Sequence, residues 1–173
     1  FMLLLLLLLI PFLGIFIIST DILKKNEDYN IDLNIKRIKI IALTSSLINL
    51  FISLIIFIFF DFSTNQFQFV QESHDVKGFN FYLGIDGLSI YFVLLTTIIM
   101  PISLLSNWTS INENVKWYVL IILLLETLLL AVFLVLDILL FYIFFESILP
   151  PLFILIAMVG SSNRGRGSFY LIL

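Results

Sequence analysis

Five long apolar segments alternate with shorter polar segments along the chain. Each apolar segment holds about 20 residues, the length that an α-helix needs to cross the hydrocarbon core of a membrane. The pattern therefore predicts membrane-spanning helices at residues 1–18, 38–60, 88–107, 117–136 and 138–159. A sixth helix is predicted to start within residues 168–173, and we expect this apolar run to continue in a longer chain.

The polar segments between these spans are of three kinds. Residues 19–37 mix basic and acidic side chains, and residues 160–167 form a short basic loop. Residues 61–87 are longer, and aromatic and polar residues alternate in two of their stretches, 66–69 and 79–82. Because such alternation on both sides of a glycine-containing turn is typical of strands, it predicts a β-hairpin on the membrane surface.

Two aspartates are predicted to cap membrane helices. Asp137 alone separates the fourth span from the fifth, so the two form either a tight antiparallel hairpin or one hydrophobic rod of over forty residues, and the capping preference of aspartate favours a break at this residue. Asp86 precedes the third span in the same way. An aspartate carboxylate accepts hydrogen bonds from the unpaired amides of a helix that it opens, so both residues are predicted N-caps.

The distribution of lysine and arginine predicts the orientation of the spans. Eight of the nine basic residues fall in the segments after spans one, three and five, and Lys77 alone falls on the opposite side. Positive charge is concentrated on the cytoplasmic or matrix side of membranes. The 19–37 segment is therefore predicted to face that side, and the N-terminus to face away from it.

Composition excludes a soluble fold and several kinds of site. Hydrophobic residues make up 61% of the chain, charged residues 12%, and the mean hydropathy is +1.17, well outside the range of soluble domains. Without cysteine the chain cannot form disulfides, thiolate metal sites or iron–sulfur ligands. The single histidine, His74, is predicted to have a solvated or packing role in the polar loop. No basic patch interleaved with aromatic residues supports nucleic-acid binding.

Two acidic residues fall inside predicted spans. Counted from the turn at Asp137, Glu146 lies about 13 Å and Glu126 about 16 Å into the membrane, at nearly equal depth. A carboxyl group at this depth is costly unless it is paired, hydrated or protonated, and such residues usually mark ion or proton paths. Glu146 is the stronger candidate for proton transfer. For Glu126, a neutral acid that makes one interhelical hydrogen bond is an equally good interpretation.

Prolines interrupt two of the spans. Pro150 and Pro151 cannot donate to the carbonyls of Glu146 and Ser147, so we expect a bend and a small hydrated spot beside the acid. The alternative for the two prolines is a simple packing kink. Pro101 frees the carbonyl of Thr97 in the third span in the same way, and there a bend is favoured over a polar path.

The motifs around these residues resemble a known family. Residues 83–89 (LGIDGLS), residues 136–151 (LDILLFYIFFESILPP) and the Gly-Ser-Ser at 160–162 followed by a basic loop closely resemble chain 4 of NADH:ubiquinone oxidoreductase, in its N-terminal part. This family comprises antiporter-like membrane subunits of respiratory complex I. The resemblance covers roughly residues 80–173, and the first two spans agree only in type and placement.

The resemblance implies an all-α membrane protein, part of a larger antiporter-like bundle, that translocates protons. It implies that Glu146 pairs with a lysine on a later helix, which this sequence lacks, and that Glu126 matches a second intramembrane acid. NADH, FMN, iron–sulfur clusters and ubiquinone are expected in partner subunits, with no redox centre in this chain. The implied partners are the other membrane-arm subunits and lipids.

Two other functions remain open on the sequence alone: a cation/proton antiporter subunit of the same fold, and a structural membrane scaffold that does not pump. The abundance of isoleucine, phenylalanine, leucine and asparagine fits an AT-rich organellar genome. The mitochondrial inner membrane is therefore the expected location, and the bacterial plasma membrane is the second choice.

Overall fold

The computed structural model describes residues 3–23, 31–73, 81–109, 115–159 and 164–173. His74 and parts of the predicted 19–37 and 160–167 loops lie outside these ranges. The described residues form seven helices and two strands, in the order α1 (Leu3–Leu23), α2 (Ile31–Phe59), β1 (Gln68–Ser73), β2 (Phe81–Ile85), α3 (Ser89–Ser106), α4 (Val115–Leu134), α5 (Ile138–Ser147), α6 (Leu149–Val159) and α7 (Arg164–Ile172).

Five helical segments of the described chain are long and apolar enough to cross a membrane. The first four lie in α1 to α4, and the fifth combines α5 and α6. The prediction of a helical protein with five membrane spans is confirmed. Large apolar side chains are exposed along these helices, as expected where lipid is the solvent. The five segments are Leu3–Thr20, Ile35–Phe59, Ser89–Ser106, Val115–Leu134 and Ile138–Ala157.

Several helices extend beyond the predicted apolar limits. α1 continues to Leu23 and α2 begins at Ile31, both inside the predicted charged segment, and α7 begins at Arg164, inside the predicted basic loop. Hydropathy marks only the part of a helix that suits lipid, whereas the backbone hydrogen bonds of a helix can continue into a charged segment. The helical ends of these segments were therefore not visible in the hydropathy pattern.

The fifth span is divided rather than continuous. α5 ends at Ser147 and α6 begins at Leu149, with Ile148 between them. This places Pro150 and Pro151 in the first turn of α6, where an amide has no intrahelical partner and proline is tolerated. α6 thus begins one residue before Pro150, and the two prolines occupy its second and third positions.

The two strands lie in the predicted hairpin segment and pair antiparallel. The register shifts between Gln68 and Gln71, and Phe69 there has a φ of 55°. This backbone conformation is unusual for a bulky residue and is typical of a β-bulge. β2 also contacts the end of α4: Leu83 bridges Val135, and the amide of Leu136 donates to the Tyr82 carbonyl at 3.0 Å. β2 therefore holds the connection between α4 and α5 in place through these two contacts.

The buried apolar side chains form two clusters, one at each end of the α1–α4 bundle. The strand-end cluster joins α1, α2, α3 and α4 to β2, and includes Leu7, Ile56, Leu83, Val93 and Leu130. The opposite-end cluster joins the same four helices, and includes Ile18, Ala42, Met100, Val119 and Leu123. The buried positions between the two clusters include the polar residues Asn49, Thr97 and Glu126 beside apolar ones such as Leu125.

α1 and α2 approach closely at Gly14. A Cβ atom built on Gly14 would lie 2.6 Å from the Ser45 hydroxyl oxygen and 3.2 Å from the Ser45 Cβ. Small residues allow this kind of close helix contact in membranes, where van der Waals packing drives association.

We expect Gly14→Ala to destabilise the bundle by about 1–3 kcal/mol, because the new methyl group must displace Ser45 or separate the helices. Adding Ser45→Gly should recover most of the loss, since it removes both close atoms. The measurement is the thermal unfolding midpoint in detergent. Gly165→Ala, at a position with open space around it, is the control. An equal loss in the single and double variants would contradict the predicted contact.

Candidate functional site

Asp86 caps α3 through a reciprocal set of hydrogen bonds. Its Oδ1 accepts from the amides of Leu88 (3.2 Å) and Ser89 (2.8 Å) and from the Ser89 hydroxyl, while the Asp86 amide donates to the Ser89 hydroxyl oxygen at 3.2 Å. The Asp86 carbonyl accepts the amide of Ile90. This is the geometry of a capping box. The hydrogen bonds from Ser89 hold the pKa of Asp86 below its ordinary value of 3.8.

We expect Asp86→Ala to cost about 0.5–2 kcal/mol of stability near neutral pH, as for other lost N-caps. Asp86→Asn should be nearly neutral there, because asparagine also caps well. The pKa of Asp86 is lowered on folding, so its contribution is present above 3.8 and is lost as the pH falls through the lowered value. The unfolding midpoint of the native protein should therefore fall below that of Asp86→Asn as the pH is lowered from 7 to about 3, because the asparagine cap does not titrate. A constant difference between them across this range would contradict the assignment.

Asp137 caps α5. Its side chain accepts from the amide of Leu139 at 3.0 Å, and its carbonyl accepts the amide of Phe141 at 2.9 Å. Only residues 135–137 connect α4 to α5, and β2 holds two of them. The turn between the two acid-bearing spans is therefore short and fixed.

Glu126 lies in the middle of α4 and is fully buried, at 0% exposure. Its Oε1 accepts a hydrogen bond from Asn49 Nδ2 at 3.0 Å, and Asn49, on α2, is also 0% exposed. Glu126 Oε2 and Asn49 Oδ1 are buried without a hydrogen-bond partner among the described residues. The pair thus joins two neighbouring spans through one bond and leaves two oxygens available.

A second buried polar contact lies one helical turn along α2 from this pair. Ser53 and Thr97, on α2 and α3, are each 0% exposed, and their hydroxyl oxygens are 2.8 Å apart. Both hydroxyls also contact carbonyls of their own helices, those of Leu50 and Val93. We call Asn49, Ser53, Thr97 and Glu126 the buried polar layer. It lies between the two apolar clusters and joins three membrane spans.

Glu146 lies elsewhere, on the outer surface of the described chain. It is exposed, and no side chain of α5 is buried. The structure places no hydrogen-bond or ion-pair partner for Glu146 among the described residues. Glu126 and Glu146 are therefore on adjacent spans but in different surroundings, one inside the bundle and one facing outwards.

The backbone beside Glu146 has its own local hydrogen bonds, and the predicted hydrated spot stays a prediction. The amide of Ile148 is shared between the carbonyls of Phe145 and Glu146, so the Glu146 carbonyl is not bare. The Ser147 hydroxyl donates to the Ile143 carbonyl at 2.6 Å, within its own helix. At the helix break, the Ile148 amide thus replaces the donor to the Glu146 carbonyl that Pro150 cannot supply.

α3 remains helical through Pro101, which is buried. Thr97, whose carbonyl cannot receive an amide from Pro101, is the α3 member of the buried polar layer. Thr96 is also buried, Ser103 is half-buried and Ser106 is exposed. The threonines on the N-terminal side of Pro101 are therefore buried in the bundle, whereas the serines on its C-terminal side are more exposed.

Sequence reasoning missed Asn49, the partner of Glu126. Asn49 has serines four residues away on each side, Ser45 and Ser53, and this spacing places all three on one face of α2. A polar stripe inside an apolar span is the signal that could have identified the second helix of the site.

No metal-binding group is visible in the part of the chain that the structure describes: no three or more His, Asp or Glu side chains there are placed to hold an ion. The chemistry available at the buried polar layer is that of carboxyl, carboxamide and hydroxyl groups, which bind and pass protons or water.

No protein-family model matches the sequence. Individual proteins are nevertheless similar to this chain in sequence. NADH-ubiquinone oxidoreductase chain 4 of Mycosarcoma maydis is 51% identical over 138 residues, covering 79% of this chain and 28% of the relative. A Podospora anserina protein named "Uncharacterized 50.9 kDa protein in ND4 intron 1" is 71% identical over 135 residues, covering 78% of this chain and 30% of the relative. The chain spans under a third of the length of these relatives.

Two solved structures share the fold. One is a chain of the archaeal membrane-bound sulfane sulfur reductase, with a TM-score of 0.79 at 18% identity. The match covers 98% of this chain and 33% of the reductase chain. The other is a chain of respiratory complex I from Thermus thermophilus, with a TM-score of 0.67 at 20% identity. This match covers 97% of this chain and 31% of the Thermus thermophilus chain. Together with the relatives, these matches confirm the resemblance found in the sequence: the chain is homologous to NADH-ubiquinone oxidoreductase chain 4 over about three quarters of its length.

Proposed function

We propose that this chain is part of a proton-translocating membrane-arm subunit of NADH:ubiquinone oxidoreductase. In this role it couples electron transfer in other subunits to proton movement through buried glutamates. The observation that carries the proposal is the buried carboxyl group of Glu126, paired with Asn49 in a chain homologous to chain 4. An acid inside a bundle of membrane spans is costly and usually functional.

The exposed position of Glu146 supports a larger assembly. A carboxyl group on a membrane-spanning helix is not stable against lipid, so we infer that another protein surface covers it. The relatives are more than three times as long as the matched region, which leaves ample chain to supply that surface. A basic group there, as the family resemblance implies, would pair with Glu146.

The same proposal assigns the location and partners. We infer the mitochondrial inner membrane, with the N-terminus facing the intermembrane space, from the distribution of basic residues and from the homology to the fungal chain 4. The partners are the other membrane-arm subunits and lipids. We infer that the redox cofactors belong to partner subunits; for the iron–sulfur clusters this agrees with the lack of cysteine ligands in this sequence.

Purification from the native membrane tests the assembly. A tag on this chain should recover, in mild detergent, a complex that oxidises NADH with quinone as acceptor and that carries flavin and iron–sulfur absorbance. Recovery of the tagged chain free of NADH dehydrogenase activity would contradict the proposal. It would favour a scaffold or a separate cation/proton antiporter, which sodium-dependent proton exchange in vesicles would tell apart.

A further inference from the structure

The two unpartnered oxygens of the buried polar layer belong to the same pair of side chains. An ionised carboxylate only accepts hydrogen bonds, and a carboxamide oxygen also only accepts. Glu126 Oε2 and Asn49 Oδ1 therefore cannot bond each other while Glu126 is ionised. Both atoms are buried, and a buried acceptor left unpaired costs about 1–3 kcal/mol.

Within the described part of the chain, the surroundings of Glu126 do not compensate a negative charge. The only hydrogen bond described to its carboxyl group comes from the neutral Asn49. Lys39 on α2 and Lys116 on α4 each lie ten residues along their helices from the pair, about 15 Å away. The other charged or titratable residues on α4 and the elements packed against it are Asp21, Asp32, Lys36, Arg37, Tyr82, Tyr91, Tyr118, Asp137, Tyr142 and Glu146.

Lys39 is also engaged elsewhere. Its Nζ donates to the Trp108 carbonyl and lies 5.7 Å from the centre of the Trp108 ring. An uncompensated carboxylate in an apolar interior costs more than a neutral acid does, and such groups normally bind a proton instead. The arrangement therefore favours neutral Glu126.

We propose that Asn49 and Glu126 form a proton-binding pair, in which a proton on Glu126 Oε2 is donated to Asn49 Oδ1 while Asn49 Nδ2 donates to Glu126 Oε1. One proton converts Oε2 from an acceptor to a donor and gives both unpartnered oxygens a partner. Asn49 is then a positioning residue that selects the neutral form of the acid. The proton-binding pair stands on the geometry alone, and its use in pumping rests on the proposed function.

This pairing predicts how substitutions behave. Glu126→Gln retains a donor and an acceptor and can form a reciprocal amide–amide pair with Asn49, so it should assemble normally without the acid proton. Asn49→Leu removes both hydrogen bonds from the acid. Ser46→Ala is the matched control, because Ser46 is equally buried on α2 and its hydroxyl bonds only the Leu43 carbonyl of its own helix.

Infrared spectroscopy of the intact native assembly tests the pair. The native spectrum should contain a carboxylic-acid C=O stretching band that Glu126→Gln abolishes and that shifts to lower frequency in D₂O. Asn49→Leu should shift this band to higher frequency, as expected for an acid that loses its hydrogen bonds, and Ser46→Ala should leave it unmoved. Absence of any band that Glu126→Gln removes would overturn the proposal, as would a band that Asn49→Leu leaves in place.

Proton pumping by the same variants separates this inference from the proposed function. If the band is present and Asn49-dependent while Glu126→Gln pumps normally, the proton-binding pair stands and a role for Glu126 in pumping is overturned. If Glu126→Gln abolishes pumping but the native spectrum lacks the band, the proton-binding pair is overturned and the proposed function stands. The comparison of native protein with Glu126→Gln decides the question even if Asn49→Leu fails to assemble.

Discussion

Replacing Asn49 with leucine is expected to lower the free energy of unfolding by about 1–3 kcal/mol, because it leaves the buried Glu126 carboxyl group without any partner. Replacing both residues with leucine should restore most of that loss. Removing both members of a buried polar pair can be nearly neutral, whereas removing one leaves the other unsatisfied. The measurement is detergent unfolding of the purified chain, followed by the fluorescence of its two tryptophans, Trp108 and Trp117.

The size of this effect distinguishes a buried pair from an ordinary interhelical contact. Interhelical hydrogen bonds in membrane proteins average about 0.6 kcal/mol, because unfolded chains in lipid also find partners. Ser53→Ala, which removes one hydroxyl of the Ser53–Thr97 contact, should fall near that smaller value. A double variant that is as unstable as the two single changes added together would show that Asn49 and Glu126 do not interact.

In the complex that we propose for this chain, Glu146→Gln is expected to reduce NADH-driven proton pumping by at least about tenfold. Glutamine matches glutamate in size but cannot carry a proton, and positioned proton-transfer groups typically contribute about 10²–10⁴-fold to rate. Quinone reduction should fall in parallel if electron transfer and pumping are tightly coupled. The measurement is proton uptake and NADH oxidation in vesicles, after native gels show that assembly is intact.

Ser147→Ala is the control for this variant. Ser147 is adjacent to Glu146, but its hydroxyl bonds only the Ile143 carbonyl of its own helix, so pumping should change little. Normal pumping by an assembled Glu146→Gln complex would show that Glu146 has no role in coupling. Equal losses in both variants would point to a structural effect of this segment instead.

The sequence predicted the spans well because lipid solvent imposes a simple rule on length and apolarity. Both intramembrane acids were also visible, since a charge in an apolar run stands out. Whether each acid faces inwards or outwards was not visible, because this depends on how the helices rotate against one another. Glu126 is buried and accepts a hydrogen bond from Asn49 on α2, whereas Glu146 lies on a helix with no buried side chain.

The remaining differences have local causes. Asn49 was missed because the high mean hydropathy of this span hides its few polar residues, although Ser45, Asn49 and Ser53 recur every four residues on one face of α2. The division of the fifth span at Ile148 was predicted only as a bend, because the prolines show that helical bonds are lost but not which residues recover them.

The three-residue connection between α4 and α5 has a consequence for biogenesis. The ribosome synthesises the chain from its N-terminus, so a span can enter the bilayer alone only if the segment that follows it can stay in water. Here the following segment is already the next apolar helix, with only Asp137 charged between them. We therefore expect α4 and α5 to enter the membrane together as one hairpin, so that neither acid-bearing helix is present in the bilayer without the other.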